Sequence, residues 1–214
     1  MHSVRSWYRP SKIGLSHRTH GADERIGGYG PTVNERDEWL IGGPEARPVE
    51  IVDHRPEWAE RFELERAKIA EALPHARAIE HVGSTSVPGL GAKPIVDIQV
   101  ELVGLDETRD IPPLETAGYV LRVREANHLM VRTPERDVHV HLWADGPDLD
   151  RHLLFRDWLR TNEADRNQYE AVKRELATQT WRDMNDYADA KSEVINDITA
   201  RAEAWGATTG WRRR

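Results

Sequence analysis

Cysteine is absent from the 214-residue chain, which removes thiol nucleophiles, CxxC redox pairs, thiolate zinc sites and disulfide staples together. Apolar residues make up only 38% of it and phenylalanine only two positions. No apolar run approaches the ~20 residues of a membrane span, so a soluble protein without a membrane partner is expected. The basic N-terminal residues lead into no apolar stretch of the signal-peptide kind, and the expected location is cytoplasmic. Positive charge is not in excess either: 30 Lys and Arg face 37 Asp and Glu, a formal charge of -7. With no basic stripe carrying interleaved aromatics, a nucleic-acid partner is not expected. What the chain does hold is eight Trp, read as core anchors. At this length one fold buries roughly two-thirds of the surface its unfolded chain exposes and needs no staple.

Residues 1–35 carry Arg, Ser, His, Gly and Pro without periodicity, and are read as a flexible N-terminal tail. Its Arg5, Arg9, Lys12, Arg18 and Arg25 read as solvated charge rather than as a phosphate grip, and Trp7 or Tyr8 would matter only if the tail packs. A turn-bounded arm around Gly42-Gly43-Pro44 leads into the domain, which spans 36–207, and residues 208–214 form a basic C-terminal tail. Residues 49–52 suit an edge strand. Pro56 can open a helix whose Trp58, Phe62, Ile69 and Leu73 share a face, and Pro74 closes it. Strands are expected over 78–82, 95–102, 119–123, 128–132 and 138–143, the last two as a hairpin, with a short helical turn at 114–117 closed by Gly118. From Asp148 onward apolar residues recur at three- and four-residue steps, so the remainder is helical. This order argues for an α+β fold, a mixed sheet with packed helices, rather than a doubly wound parallel one.

The strongest local signal is the stretch from His81 to Val100. A strand ending in Gly83-Ser84-Thr85-Ser86 lets backbone N–H groups and hydroxyls come close to an anion, because Gly83 has no Cβ. The competing reading is a tight turn whose hydroxyls bond their own backbone. Lys93 adds a point charge for a phosphate, and Asp97 lies on a strand where it could hold hydrated magnesium. On the strand around 138–143, a period of two puts Asp137, His139, His141 and Trp143 on one face and Val138, Val140 and Leu142 on the other. The apolar face must seek the core. The polar face can bind metal, act as a base or grip phosphate. His81 could join it, or serve as a buried structural imidazole. Arg122, Glu125, His128 and Arg132 cluster near the hairpin, where Arg forks suit phosphates and carboxylates. Tyr169 and Lys173, like Tyr187 and Lys191, stand four apart on one helix face; either pair could reach the cleft rim, and helix packing with snorkelling Lys is the safer assumption.

These residues resemble the signature of the GrpB-like family, the UPF0157 proteins. The likeness continues through Arg122-Val123-Arg124-Glu125, His128, Arg132, His139-Val140-His141, Phe155-Arg156-Asp157-Trp158-Leu159-Arg160, Tyr169, Lys173, Tyr187 and Lys191. The resemblance implies a nucleotidyltransferase-superfamily fold, with Gly83, Ser84, Thr85, Lys93 and Arg132 toward a nucleoside triphosphate and Asp97, His139 and His141 in catalysis. It also implies magnesium as the metal. Where active nucleotidyltransferases carry Asp-x-Asp, this chain has Asp97 followed by Gln99, so Glu101 is the expected second metal ligand. Two functions follow from the likeness: transfer of a nucleotidyl group to, or activation of, a small acceptor, or a non-catalytic module like the domain fused to some dephospho-CoA kinases. In either case the partner is a nucleotide or another phosphate-bearing small molecule.

Overall fold

The structure is a computed structural model and describes residues 39–213. The tail expected over 1–35, with Trp7, Tyr8 and its basic residues, lies outside the described residues. The chain runs α1 (Glu57–Ala72), β1 (Ala76–Val82), a single 3-10 turn (Ser84–Ser86), β2 (Val96–Leu102), α2 (Glu107–Thr116), β3 (Val120–Glu125), β4 (His128–Arg132) and β5 (Val138–Ala144). Four helices follow: α3 (Pro147–Thr161), α4 (Glu163–Ala177), α5 (Met184–Ala190) and α6 (Ser192–Thr209). The fold is α+β. Among the described residues one five-stranded sheet has the order β1-β2-β5-β4-β3, in which β2 and β5 are the only parallel neighbours.

Alternation decides which face each strand offers. Ile98, Val100 and Leu102 of β2 and Val138, Val140 and Leu142 of β5 are buried, and they pack with Trp58, Ile69 and Leu73 from α1 and its end and with Ile111 and Leu114 from α2. Helices α1 and α2 therefore cover the apolar face. The opposite face carries Asp97, Gln99 and Glu101 beside His139, His141 and Trp143 in register. The C-terminal helices build a second cluster there, in which Phe155, Leu159, Tyr169, Ile195 and Ile198 enclose Val87 and Leu90 of the loop after β1. That loop is thus held by apolar burial from the helical layer, at roughly 25 cal/mol per Å² of apolar surface removed from water.

Three local expectations change. Residues 49–52 form no strand; Val52 makes a lone antiparallel bridge to Ala92. The turn expected at 114–117 is the end of α2, a ten-residue helix that contains Pro112 and Pro113. Each proline removes one intrahelical bond, and the helix persists because Asp106 caps it through the amides of Thr108 and Arg109 while Ile111 and Leu114 bury against the sheet. At the other end of the chain, Arg213 is no solvated tail residue: it pairs with Glu101 at 2.8 Å and with Asp150 at 3.2 Å. No helix among the described residues is long and apolar enough to cross a membrane.

Candidate functional site

The site begins where β1 ends. Gly83 has φ +70 and ψ -175, a conformation open essentially to glycine alone, and a Cβ there would meet Asp97 Oδ2 at 2.5 Å. The turn can therefore lie directly against the carboxylate. Ser86 Oγ closes the turn on Gly83 O at 2.6 Å, leaving Ser84 to the cavity side, where its hydroxyl accepts from Lys173 Nζ at 3.0 Å. Thr85 is spent internally: it donates to Ile95 O at 3.0 Å and faces His81 Nε2 at 3.1 Å. Its expected side-chain contact with a phosphate is replaced by this structural role, although Thr85 does line the cavity. His81 is structural as well. It stacks on Phe62 with centroids 4.9 Å apart, and burial pulls its pKa down to about 4.

The parallel pairing of β2 with β5 sets Asp97 opposite His139 and Gln99 opposite His141. His139 Nδ1 lies 3.4 Å and His141 Nε2 3.9 Å from Asp97 Oδ1, and one ligand atom from each of the three falls within 4.8 Å of the other two. Burial pushes the Asp97 carboxyl up, but the bonds from His139 and His141 outweigh that and hold it well below the usual carboxylate range. Burial pulls His139 down, against the pull of Asp97.

Behind the pair stands a polar chain of Glu125 and His128, the residues that the sequence grouped near the hairpin. His128, 1% exposed, faces His141 Nδ1 through Nε2 at 3.0 Å and Glu125 Oε2 through Nδ1 at 2.7 Å. Its ring stacks on Trp143 with centroids 4.0 Å apart. Burial raises the Glu125 carboxyl to about 7.

Glu101 does not join the cluster of Asp97, His139 and His141. Although on the same strand face, it is 7% exposed and engaged by Arg213 at 2.8 Å and Arg77 at 3.7 Å. Gln99 is equally committed, donating to Leu149 O at 3.2 Å and accepting from His152 Nδ1 at 2.8 Å. Arg132 lines the cavity but is paired through both nitrogens with Glu45, at 2.7 and 3.0 Å, and Glu45 also draws Arg136 at 3.4 Å. The arm that carries Glu45 is seated on β3, since Leu40 bridges Val123 and Arg122 donates to the carbonyls of Ile41 and Gly43.

The cavity in front of these groups has a volume of about 620 Å³ and is lined by Gly83, Ser84, Lys93, Asp97 and His139 from the sheet side. From the helical side come two lysines whose four-residue spacing to a tyrosine left packing and the cleft rim both open. Lys173 on α4 is 2% exposed and donates to Ser84 Oγ and Gly91 O. Lys191, at the junction of α5 and α6, sits 4.6 Å from the centre of the Tyr187 ring, and Lys93 lies 5.2 Å from the same ring. Burial lowers all three ammonium groups; repulsion from Lys191 and Lys93 adds to it at Lys173, Arg47 adds to it at Lys93, and Lys93 adds to it at Lys191, which is taken to about 7. The repeated Tyr-x-x-x-Lys spacing was the available signal. Which side of the helix would find the cavity was not in it.

The GrpB protein family matches residues 48–201 of the chain. A UPF0157 protein of Streptomyces coelicolor is 52% identical over 167 residues, covering 77% of this chain and 90% of that one. The crystal structure of the conserved protein GrpB from Enterococcus faecalis superposes with a TM-score of 0.64 at 31% identity, over 73% of this chain and 99% of the other. A dephospho-CoA kinase of Mycobacterium leprae is 31% identical over 203 residues, spanning 77% of this chain and 49% of the kinase. With the match extending over most of its length, the chain belongs to the GrpB family.

Proposed function

We propose that the cavity binds a nucleoside triphosphate, or a small molecule with a comparably charged phosphate group. The observation that carries this reading is the gathering of Lys93, Lys173 and Lys191 in one cavity beside the Gly83-Ser84 turn. Buried cations held together are costly unless an anion completes the site. A volume of about 620 Å³ suits a nucleotide. The phosphates would rest on the turn and the lysines, and magnesium would arrive as the counterion of the triphosphate.

A resident pair of magnesium ions clamped by carboxylates does not fit these residues. Asp97 stands alone, because the amide of Gln99 is turned to Leu149 and His152 and Glu101 is bound to Arg213. No step of two-metal chemistry is assigned to this chain. In nucleotidyl transfer or activation of a small acceptor, His139, its pKa lowered by burial, would take the acceptor's proton whenever no ion is bound to its ring. The same commitment of Gln99 favours a second reading, a non-catalytic ligand-binding or folding-accessory module, and the chain aligns with 49% of the length of the dephospho-CoA kinase.

Calorimetric titration with the four ribonucleoside triphosphates, with magnesium present, tests the first reading. Micromolar binding of at least one of them, weakened at least tenfold by Lys173→Met, is expected. Absence of heat with all four would sink it. Binding without any product on incubation with candidate acceptors would select the module.

A further inference from the structure

We propose that Asp97, His139 and His141 form a single site for a divalent transition metal of the zinc, cobalt or nickel kind, with its open side toward the cavity. The proposal needs no nucleotide, and so stands or falls apart from the reading above.

The donor set points to it first. Two imidazoles and one carboxylate from adjacent parallel strands converge on one side of the sheet. Imidazole suits zinc, cobalt, nickel and iron, whereas magnesium takes oxygen ligands in a strict octahedron. Ligand separations of 3.4 and 3.9 Å from Asp97 Oδ1 are close to the spacing of roughly 3 to 3.5 Å between two ligands on one ion at ~2.1 Å. Small rotations of the side chains close the difference. The side chains of Asp97, His139 and His141 are 30%, 18% and 12% exposed, so the cluster is enclosed but still reachable.

The hydrogen bonds behind the cluster supply an independent argument. When Glu125 is a carboxylate it accepts the Nδ1–H of His128. The remaining His128 Nε2 is then an acceptor and takes the Nδ1–H of His141. That assignment turns His141 Nε2 toward Asp97 Oδ1, 3.9 Å away, on the side where an ion would sit. The arrangement, carboxylate to imidazole to metal-binding imidazole, is the outer-shell pattern that fixes tautomer and ring orientation in metal sites. The stacking of His128 on Trp143 holds the intermediate ring in place.

The chain also excludes the commoner alternative for this position. Gln99, which shares the strand face between Asp97 and Glu101, keeps its amide on Leu149 and His152 and leaves no second carboxylate to harden the site toward magnesium. One ion, not two, is the outcome, and its free coordination positions face the lysine-lined space where an anionic ligand would sit.

The test is titration of the full chain, stripped by a chelator, with cobalt(II) near neutral pH while the visible d–d absorption is followed. A band that saturates at one equivalent, is displaced by zinc and survives roughly a hundredfold excess of magnesium is expected. The band should vanish in His139→Gln and His141→Gln. Glu125→Gln should keep it but weaken cobalt affinity by about tenfold or more. If the chain, folded by circular dichroism, gives no band, the site does not exist. A band unchanged in His139→Gln and His141→Gln, or one displaced by an equal amount of magnesium, overturns the assignment equally. Should His141→Gln fail to fold, His139→Gln, whose side chain opens to the cavity, decides alone.

Discussion

Gly83 and Asp97 are in such close contact that no side chain fits between them: a Cβ on residue 83 would lie 2.5 Å from Asp97 Oδ2. The turn and the carboxylate are thus one feature of the fold, since Val82 pairs with Asp97 across β1 and β2 and the chain must reverse immediately afterwards. Gly83→Ala imposes both a strained positive φ and a clash, and should cost about 2 to 4 kcal/mol in urea unfolding. Phosphate binding should fall with it. A variant as stable as the parent would show that the turn relaxes freely.

Lys173 is the buried link between α4 and the turn, through Ser84 Oγ and Gly91 O. Lys173→Met keeps its volume and apolar stem while removing the charge, so anion affinity should drop at least tenfold while the thermal midpoint moves by only a few degrees. Because Lys191 titrates at about 7, mostly through burial, triphosphate affinity should also weaken as pH rises from 7 toward 9. Affinity that stays flat over that range would remove Lys191 from the binding set.

His81 makes the fold sensitive to acid. Its folded pKa of about 4 lies below the unfolded 6.5, so the unfolded state binds the proton first. The stability it contributes is complete above 6.5 and is lost as pH falls to about 4, a change of about 3 kcal/mol at most. The difference in unfolding free energy between His81→Gln and the parent should move in favour of the variant as pH falls from 6.5 to about 4. An unaltered slope would mean that the ring is already solvated.

Glu125 acts with the opposite sign. Burial raises its folded pKa from 4.5 to about 7, so the unfolded carboxyl ionises first and stability declines as pH climbs between those values. The decline is about 3 kcal/mol at most. Between 4.5 and 6.5 this opposes the effect of His81, so neither is visible in the parent alone. The difference in unfolding free energy between Glu125→Gln and the parent should move in favour of the variant from pH 5 to pH 7. A difference independent of pH would place the titration elsewhere.

Local pattern alone marked much of this protein. The alternation of Val138, Val140 and Leu142 with His139 and His141 set β5 and its two faces, and the glycine and serine of the loop after β1 with the carboxylate of β2 were legible as a site because glycine is required wherever backbone meets another group so closely. The helical remainder was legible from its period. Local pattern misread α2, because Pro112 and Pro113 argue against a helix that its cap and its burial sustain. It also could not say that β2 would lie parallel to β5, with Asp97 level with His139, since period two fixes a residue's face but not its neighbour on the next strand. For the same reason Lys173 and Lys191 looked like packing, Glu101 like a metal ligand and Arg132 like a free fork. Only the packed helices and the arm bearing Glu45 decided which charges meet, because an ion pair is chosen by distance in space, and nonlocal distance is what folding itself sets.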